Sequence, residues 1–376
     1  MPKLTRMNKR IKVNLKEKSY EIFVENNILS KCGLFLKSLN LGKKILIVSQ
    51  NKIPSSYIKK AVKSLNKNGF KVYVLILPSG EKHKNLSSLL KIVNAAIKNS
   101  FERNDSFCAL GGGVVSDLTG FGASIYFRGI NFISMPTTLL GMTDAAIGGK
   151  TSINISQGKN LLGTFYQPKI VLIDPICLKT LPRKEYLTGL AEVIKYGLLE
   201  KTAKKAFSKD GFFNYLKRNK NNILKLQSSI LFQIITYSAA LKAHVVSKDE
   251  RESNLRAILN LGHTFAHGIE QAYDYKKFTH GEAVSIGMCL ASRLAQEYNL
   301  FPESETSLVI KLISDFGLPV KVPKPVRIKK IIKAMLHDKK VKDNKLRFIL
   351  PKDKIGKVQI ISGIPLNKVR SLIMGF

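Results

Sequence analysis

The feature that most constrains the fold is a series of short, unbroken apolar runs, most of them followed by a helical pattern. Lys44-Ile-Leu-Ile-Val48 is the first such run. A strand with one wet face alternates apolar and polar residues; an uninterrupted run suits a parallel strand buried on both faces. Ser55–Asn66 then carries its apolar residues at helical spacing. Asn68-Gly69 marks a turn, and Val72–Leu77 is the second run. Pro78-Ser79-Gly80-Glu81 ends it, and Leu86–Lys98 is the next helical pattern. Phe107–Leu110, Asn131–Met135 and Ile170–Ile173 continue the series. This β-α-β-α-β alternation predicts an α/β fold with a doubly wound, mostly parallel sheet. Ahead of it, Ile11–Val24 alternates enough to supply the strands of an opening hairpin.

The third run leads straight into Gly111-Gly112-Gly113-Val114-Val115-Ser116-Asp117. Glycines between a strand and a helix let the backbone approach a phosphate, whose charge the helix N-terminus favours. A tight turn needing positive φ would have the same composition. The spacing is not GxGxxG, so the usual dinucleotide fingerprint is absent. Asp117, one turn into the helix, could serve a ribose diol or simply favour the helix dipole. Further on, Pro136-Thr137-Thr138 ends a strand, and Asp144 to Lys150 and Gly158-Lys159-Asn160 read as Gly-rich turns. Lysines in such turns can reach an anion. Gly149-Lys150-Thr151 resembles the end of a P-loop, but the leading glycine of that motif is missing, which argues against an ATPase.

From Lys184 onward the texture changes to long helical patterns, so the chain divides into 1–182 and 183–376, an α/β domain and a mainly helical one. No Pro/Gly/Ser linker separates them, and a cleft between them is the expected site. Glu192 and Lys195 are three apart among apolar neighbours. A glutamate in such a stretch is costly unless paired or metal-bound; it is either an acidic metal ligand or half of an internal ion pair. Ile223–Val246 reads as one long helix carrying Lys242 and His244, and Asp249-Glu250-Arg251-Glu252 as a charged turn. Leu255–Glu282 holds three of the six histidines. His263 and His267, four apart, share a helical face, and His280 opens the next helical pattern, which runs to Glu297. That arrangement suits Zn²⁺. The metalloprotease pattern is excluded, because Thr264 stands where its glutamate base belongs. A further His and a Glu from elsewhere must complete the site, and Glu192 is the best candidate. Helical patterns follow at Glu303–Phe316 and Ile328–His337, then a charged corner, His337-Asp338-Lys339-Lys340, and a tail with short strand-like runs over Lys345–Ile364.

The formal net charge of +36 invites a nucleic-acid reading. However, 50 of the 62 basic residues are Lys, scattered over every segment with no aromatic-interleaved motif. We therefore expect neither a nucleic-acid nor a membrane partner. No apolar run approaches the roughly 20 residues of a membrane span, and the basic N-terminus has no apolar core behind it, unlike a secretory signal. The four cysteines are far apart and form no CxxC, as suits reduced thiols in a cytoplasmic protein. A metal beside Lys150, Lys159, Lys195, Lys242 and Arg256 suggests a multiply anionic substrate whose hydroxyl or carbonyl is polarised. Residue chemistry alone thus reaches a metal-dependent, NAD-linked enzyme of polyols or sugar phosphates.

The ordered segments PSGEKHK (78–84), LGGGVVSDLTGF (110–121), YFRG (126–129), PTTLLGMTDAAIGGKTSIN (136–154), GKNLLGTFYQP (158–168), GLAEVIKYG (189–197), DERESNLRAILNLGHTFAHGIE (249–270), HGEAVSIGM (280–288) and HDKKV (337–341) carry a closer likeness. From about Ile11 to Ser371 the chain resembles the 3-dehydroquinate synthase family of the shikimate pathway, within the sugar phosphate cyclases. The resemblance implies a carbon–oxygen lyase using NAD⁺ and Zn²⁺ or Co²⁺, usually as a homodimer. It implies conversion of 3-deoxy-D-arabino-heptulosonate 7-phosphate to 3-dehydroquinate by transient oxidation at C5, phosphate elimination, re-reduction, ring opening and aldol closure. The metal ligands would be Glu192, His263 and His280, with His267 moved to the substrate. Dinucleotide contacts would come from Ser79, Gly80, Glu81, Lys82, His83 and Lys84; from Gly113, Val114, Val115, Ser116 and Asp117; and from Thr137, Thr138, Lys150, Lys159, Cys177, Leu178, Lys179 and Thr180. Substrate contacts would be Asp144, Lys150, Asn160, Lys195, Lys242, Arg256, Asn260, His267 and Lys339 or Lys340, with Arg128 reaching a neighbouring subunit's site. Other sugar phosphate cyclases and glycerol-dehydrogenase-like enzymes are the alternatives. Ser116, Asn254 and Gln50 depart from the family's usual residues, Gly, Gly and Asp or Asn. The first could slightly weaken dinucleotide binding, the second suits the left-handed region that Asn tolerates, and the third puts the adenosine-ribose contact in doubt.

Overall fold

A computed structural model describes residues 7–336 and 346–376. Its main sheet has seven strands in the order β1-β2-β9-β6-β5-β3-β4. They are β1 (Asn8–Val13), β2 (Tyr20–Glu25), β3 (Lys44–Gln50), β4 (Lys71–Leu77), β5 (Ser106–Gly111), β6 (Asn131–Pro136) and β9 (Ile170–Ile173). All neighbours pair in parallel except β1 with β2, the opening hairpin. The apolar runs behave as their composition demands. β5 and β9 are buried at every residue and β3 and β6 at all but the first, whereas the edge strand β4 is half exposed. Leu46, Val48, Phe107, Ala109 and Phe132 pack with Leu89, Ile92 and Ala96 of helix Leu86–Lys98 and with Val115 and Leu118 of helix Gly113–Ile125. Each large apolar side chain so buried contributes about 1.5–3 kcal/mol.

Two stretches depart from the sequence reading. Lys150 and Lys159 are not in turns: they lie in β7 (Lys150–Ile155) and β8 (Gly158–Phe165), a separate antiparallel ribbon. The helix expected over Ile223–Val246 is broken. A short helix Lys220–Leu224 ends before Leu226, whose φ of 57° no helix accepts, and Ser228–Lys248 forms the long helix. Ser228–Lys248 is long and apolar enough to cross a membrane by length and composition. Its apolar residues serve the interior instead: Leu231, Ile234, Ile235, Leu241 and Val245 are buried, and it packs on β1 and on the segment Gly141–Ala145.

The chain divides into two compact units. The first comprises the described residues through Pro182 and also Ser228–Arg251; the second comprises Arg183–Gln227 and the described residues from Glu252 on. A single boundary at residue 182 therefore misplaces one helix. The long apolar helix returns to the sheet unit and takes Lys242 with it. The second unit is built on helices Arg183–Leu199, His263–Ala272, His280–Glu297, Glu303–Asp315, Ile328–Leu336 and Leu366–Gly375. It also holds a two-stranded ribbon, β10 (Arg347–Pro351) with β11 (Val358–Ser362).

Candidate active site

In the second unit, close helix contacts decide where the site forms. A Cβ on Gly281 would lie 2.3 Å from the Thr188 carbonyl oxygen. Only glycine therefore lets the start of helix His280–Glu297 rest on helix Arg183–Leu199. Thr188 is one turn before Glu192 and Gly281 directly follows His280, so this contact sets His280 beside Glu192. The helix start is fixed by a capping box in which Thr279 and Glu282 exchange side-chain and backbone hydrogen bonds. A second close approach places His263. A Cβ on Gly287 would lie 2.1 Å from the Gly262 carbonyl oxygen, and Gly262 itself has a φ of 78° that favours glycine.

The result is a cluster of Glu192, His263 and His280 whose candidate ligand atoms all lie within 4.8 Å of one another. Glu192 Oε1 is 3.6 Å from His263 Nε2 and 3.5 Å from His280 Nε2. The outer ring nitrogens are both engaged. His263 Nδ1 is 3.1 Å from the Leu261 carbonyl oxygen; a carbonyl only accepts, so Nδ1 carries the proton and Nε2 presents its lone pair. His280 Nδ1 lies 3.3 Å from Glu270 Oε2, which orients that ring in the same way. One carboxylate and two imidazoles, each tautomer set by an outer partner, fit a divalent metal, and three protein ligands is the number that catalytic zinc sites use. Burial works against a charge on His280, but Glu270 and Glu192 outweigh it and raise its pKa to about 10. Lys195 ion-pairs with Glu192, both side chains being buried. The two readings of Glu192 thus coincide: it is a cluster member and an ion-pair partner.

His267 stands beside the cluster, its ring centroid 5.7 Å from that of His263 and 6.5 Å from that of His280, but supplies none of the three clustered atoms. Arg256 is buried. Arg256 and Asn260 lie on a separate 3₁₀ segment, Leu255–Asn260, which Leu261-Gly262 divides from the helix carrying His263 and His267. Asn260 donates its amide to Glu252. Sequence reasoning missed Glu252, which looked like part of a solvated charged turn; its φ of 62°, unusual for glutamate, could not be read from composition. Asn254 has φ −143° and ψ −95°, so the left-handed conformation invoked for it is not the one it adopts. Lys339 and Lys340 lie outside the described residues.

The first unit gathers a different set. Asp144 sits on a single π-helical turn, Gly141–Ala145, a feature frequent at functional sites. Its backbone carbonyl accepts from Lys242 Nζ at 2.6 Å, and its carboxylate pairs with the same ammonium at 2.7 Å. Lys84 is buried and donates to both Asp117 and Asn160; Ser152 donates to Asn160 at 2.9 Å. Burial raises the Asp117 pKa, and the Lys84 charge opposes that rise. The loop Ser79–Lys84 is pinned at both ends. Ser79 Oγ donates to Asn51 Oδ1 at 2.7 Å, and Asn154, donating to Glu81 Oε1 at 2.8 Å, holds the loop to the ribbon. Lys82 is exposed and His83 half-buried, whereas Lys150 is exposed and Lys159 half-buried.

None of Gly111, Gly112 and Gly113 has positive φ. Space is tight at the first two, where added Cβ atoms would lie 2.9 Å from Val115 and 3.1 Å from Thr138, whereas at Gly113 a Cβ would make an ordinary contact with Ala145. Ser116 is in the first turn of helix Gly113–Ile125, where a serine fits without strain; Val114 and Val115 share that turn. Thr137 anchors to the Gly111 carbonyl through its backbone, and Thr138 Oγ1 accepts from Gly141 N–H at 3.0 Å. Gln50 donates to the Pro78 carbonyl at 3.2 Å at the end of β3. Cys177 and Leu178 are buried, and Lys179 and Thr180 are exposed. Arg128 is exposed and left-handed, at φ 64°.

The fold that carries the glycine loop and the Glu–His–His cluster is shared with solved cyclases and dehydrogenases. Among solved structures, 2-deoxy-scyllo-inosose synthase, complexed with carbaglucose-6-phosphate, NAD⁺ and Co²⁺, superposes with a TM-score of 0.87 at 24% identity, covering 98% of this chain and 100% of that one. The 2-epi-5-epi-valiolone synthase of Streptomyces hygroscopicus, with NAD⁺ and Zn²⁺ bound, gives 0.85 at 27% identity over 96% and 97%. A probable glycerol dehydrogenase of Sinorhizobium meliloti, at 15% identity and 0.67 over 94% and 95%, shares the fold alone. The family models for the 3-dehydroquinate synthase N-terminal and C-terminal regions match residues 74–188 and 189–341. The chain is 45% identical to the 3-dehydroquinate synthase of Crocosphaera subtropica over 98% of its own length and 99% of the relative's. It is 43% identical to that of Thermodesulfovibrio yellowstonii over 96% and 99%. The chain belongs to the 3-dehydroquinate synthase family.

Proposed function

We propose that this chain converts 3-deoxy-D-arabino-heptulosonate 7-phosphate to 3-dehydroquinate and phosphate. The observation that carries the reading is the Glu192–His263–His280 cluster in a chain whose curated relatives are named for that activity over their whole length. A divalent metal held by those three residues would polarise substrate oxygens, and NAD⁺ would take up one hydride and give it back.

The protein's own part is binding and charge placement. Lys242, held by the carbonyl and carboxylate of Asp144, presents an ammonium of fixed direction. By the family resemblance Lys150, Lys195, Lys242 and Arg256 are assigned to a substrate bearing both carboxylate and phosphate. Asn260 is oriented by Glu252, and His267 stands next to the metal ligands without being one. Asn260 and His267 are assigned to the substrate, with Asn160 and Lys339 as further contacts. Fixed donors of this kind lose little reorganisation energy during reaction. The dinucleotide contacts are assigned to the Ser79–Lys84 loop, Gly113–Asp117, Thr137, Thr138, Lys150, Lys159 and the backbone of Cys177–Thr180. The N-terminus of helix Gly113–Ile125 favours the pyrophosphate charge.

We also assign a homodimer to which Arg128 contributes. Arg128 follows Phe127, which is itself left-handed and exposed, so the backbone holds an aromatic and a cation out together. A cytoplasmic location agrees with four buried free cysteines. The deciding assay is phosphate release from the heptulosonate phosphate with NAD⁺ and Zn²⁺ or Co²⁺. Net NADH formation from a polyol without phosphate release would replace this reading with a dehydrogenase.

A further inference from the structure

We infer that Glu270 is a positioning residue for the metal centre, one that sets the orientation and donor strength of His280. The inference rests on the metal-binding reading above. Glu270 lies on helix His263–Ala272, seven residues after His263, so both side chains share one face. That face meets the start of helix His280–Glu297. Glu270 is buried, and its Oε2 lies 3.3 Å from His280 Nδ1. His280 Nε2, across the ring, lies 3.5 Å from Glu192 Oε1. The imidazole is therefore held between two carboxylates: one on its outer nitrogen, and one beside the nitrogen that would bind metal.

The two histidines are treated unequally. His263 Nδ1 meets a neutral backbone carbonyl, at 3.1 Å. His280 Nδ1 meets a carboxylate. A carboxylate accepting from Nδ1–H increases electron density on the ring and makes Nε2 the stronger donor. It also adds a negative charge close to the cluster, which attracts a divalent cation through an interior that screens poorly. A buried carboxylate on a helix is costly when it serves only packing, and at this position an alanine or glutamine would keep the helix.

The test compares wild type with Glu270→Gln, which keeps an accepting oxygen and removes the charge. Zn²⁺ and Co²⁺ affinities are measured on the full-length protein by competition with a chromophoric chelator. The thermal midpoint of the metal-free proteins and the visible spectrum of the Co²⁺ forms are recorded alongside. We expect metal affinity to fall about 10–100-fold and the Co²⁺ spectrum to shift, while the metal-free protein stays folded with a lowered midpoint, because the His280 charge loses its main partner. Unchanged affinity with an unchanged spectrum overturns the inference while leaving the metal site itself standing, provided that His263→Ala abolishes binding. Wild type that binds neither ion overturns the metal reading first, and this inference with it. Should Glu270→Gln not fold, Glu270→Asp takes its place. The shorter acid keeps the charge and withdraws it from Nδ1, so an intermediate loss of affinity is expected, and wild-type affinity again overturns the inference.

Discussion

The Glu–His–His cluster of the helical unit and the Lys84–Asp117–Asn160 cluster of the sheet unit are built on opposite plans. The first draws its side chains from three helices, and two close glycine contacts hold those helices together. Glu192 is fully buried, and each histidine has an outer partner fixing its ring. The second draws on a loop, a helix start and a ribbon, and a single buried ammonium ties them together. Its neighbours Asn160 and Glu81 are exposed. A metal site needs rigid ligand placement, which packed helices supply. A dinucleotide or substrate contact tolerates a polar seam that rearranges around the ligand. The difference predicts that damage at the first cluster abolishes chemistry, whereas damage at the second tunes affinity.

The largest effect expected is at the metal ligands. Glu192→Ala or His263→Ala should remove bound metal and lower turnover by about 10³-fold or more, as expected where several kcal/mol of charge stabilisation disappears. Metal content by atomic emission and phosphate release check this together, and a variant that retains both would dismiss the ligand assignment. His267→Ala sharpens the boundary of the cluster: turnover should fall by about 10²-fold with metal content intact, and loss of metal would show that His267 belongs inside. Gly281→Ala tests whether packing makes the site. Its Cβ would meet the Thr188 oxygen at 2.3 Å, a clash worth about 1–3 kcal/mol. Weaker metal binding with NAD⁺ affinity unaltered is expected from titration calorimetry.

Lys84→Met probes the other plan. It leaves the half-buried Asp117 without its cation, a loss of about 1–3 kcal/mol. NAD⁺ affinity and the thermal midpoint should drop while metal affinity stays put; equal damage to both affinities would erase the contrast between the two clusters. The smallest effect is reserved for Ser116→Gly. Serine sits in a helical turn without strain, so restoring the family's glycine should change the NAD⁺ dissociation constant less than twofold. It should cost at most about 1 kcal/mol of stability, read from chemical denaturation.

Much of this architecture is legible in the residues. β3, β5, β6 and β9 follow from unbroken apolar runs, and the hairpin β1–β2 follows from alternation. Helix His280–Glu297 follows from the helical pattern that His280 opens. The site is only partly legible. His263 and His267 look equivalent on a helical wheel, yet only His263 meets Glu192. Glu252 is hidden in a charged run, and no spacing singles out Glu270. Long helix Ser228–Lys248 sits in sequence among the helices of the second unit but packs with the sheet, because its apolar surface is complementary to β1 and to the Asp144 turn, and sequence order carries no record of that.

The sequence by itself determined the parallel sheet, the helical second half, the family and the three residues fit to hold a metal. The sheet and the helices depend on local pattern, the family and the ligand set on the likeness of ordered motifs. Only tertiary structure decided that Glu192 serves the cluster while paired with Lys195, and that Glu270 backs His280. The reason is physical: these assignments turn on distances of a few ångströms between segments far apart in the chain, and those distances are set by where Gly281 meets Thr188 and Gly287 meets Gly262.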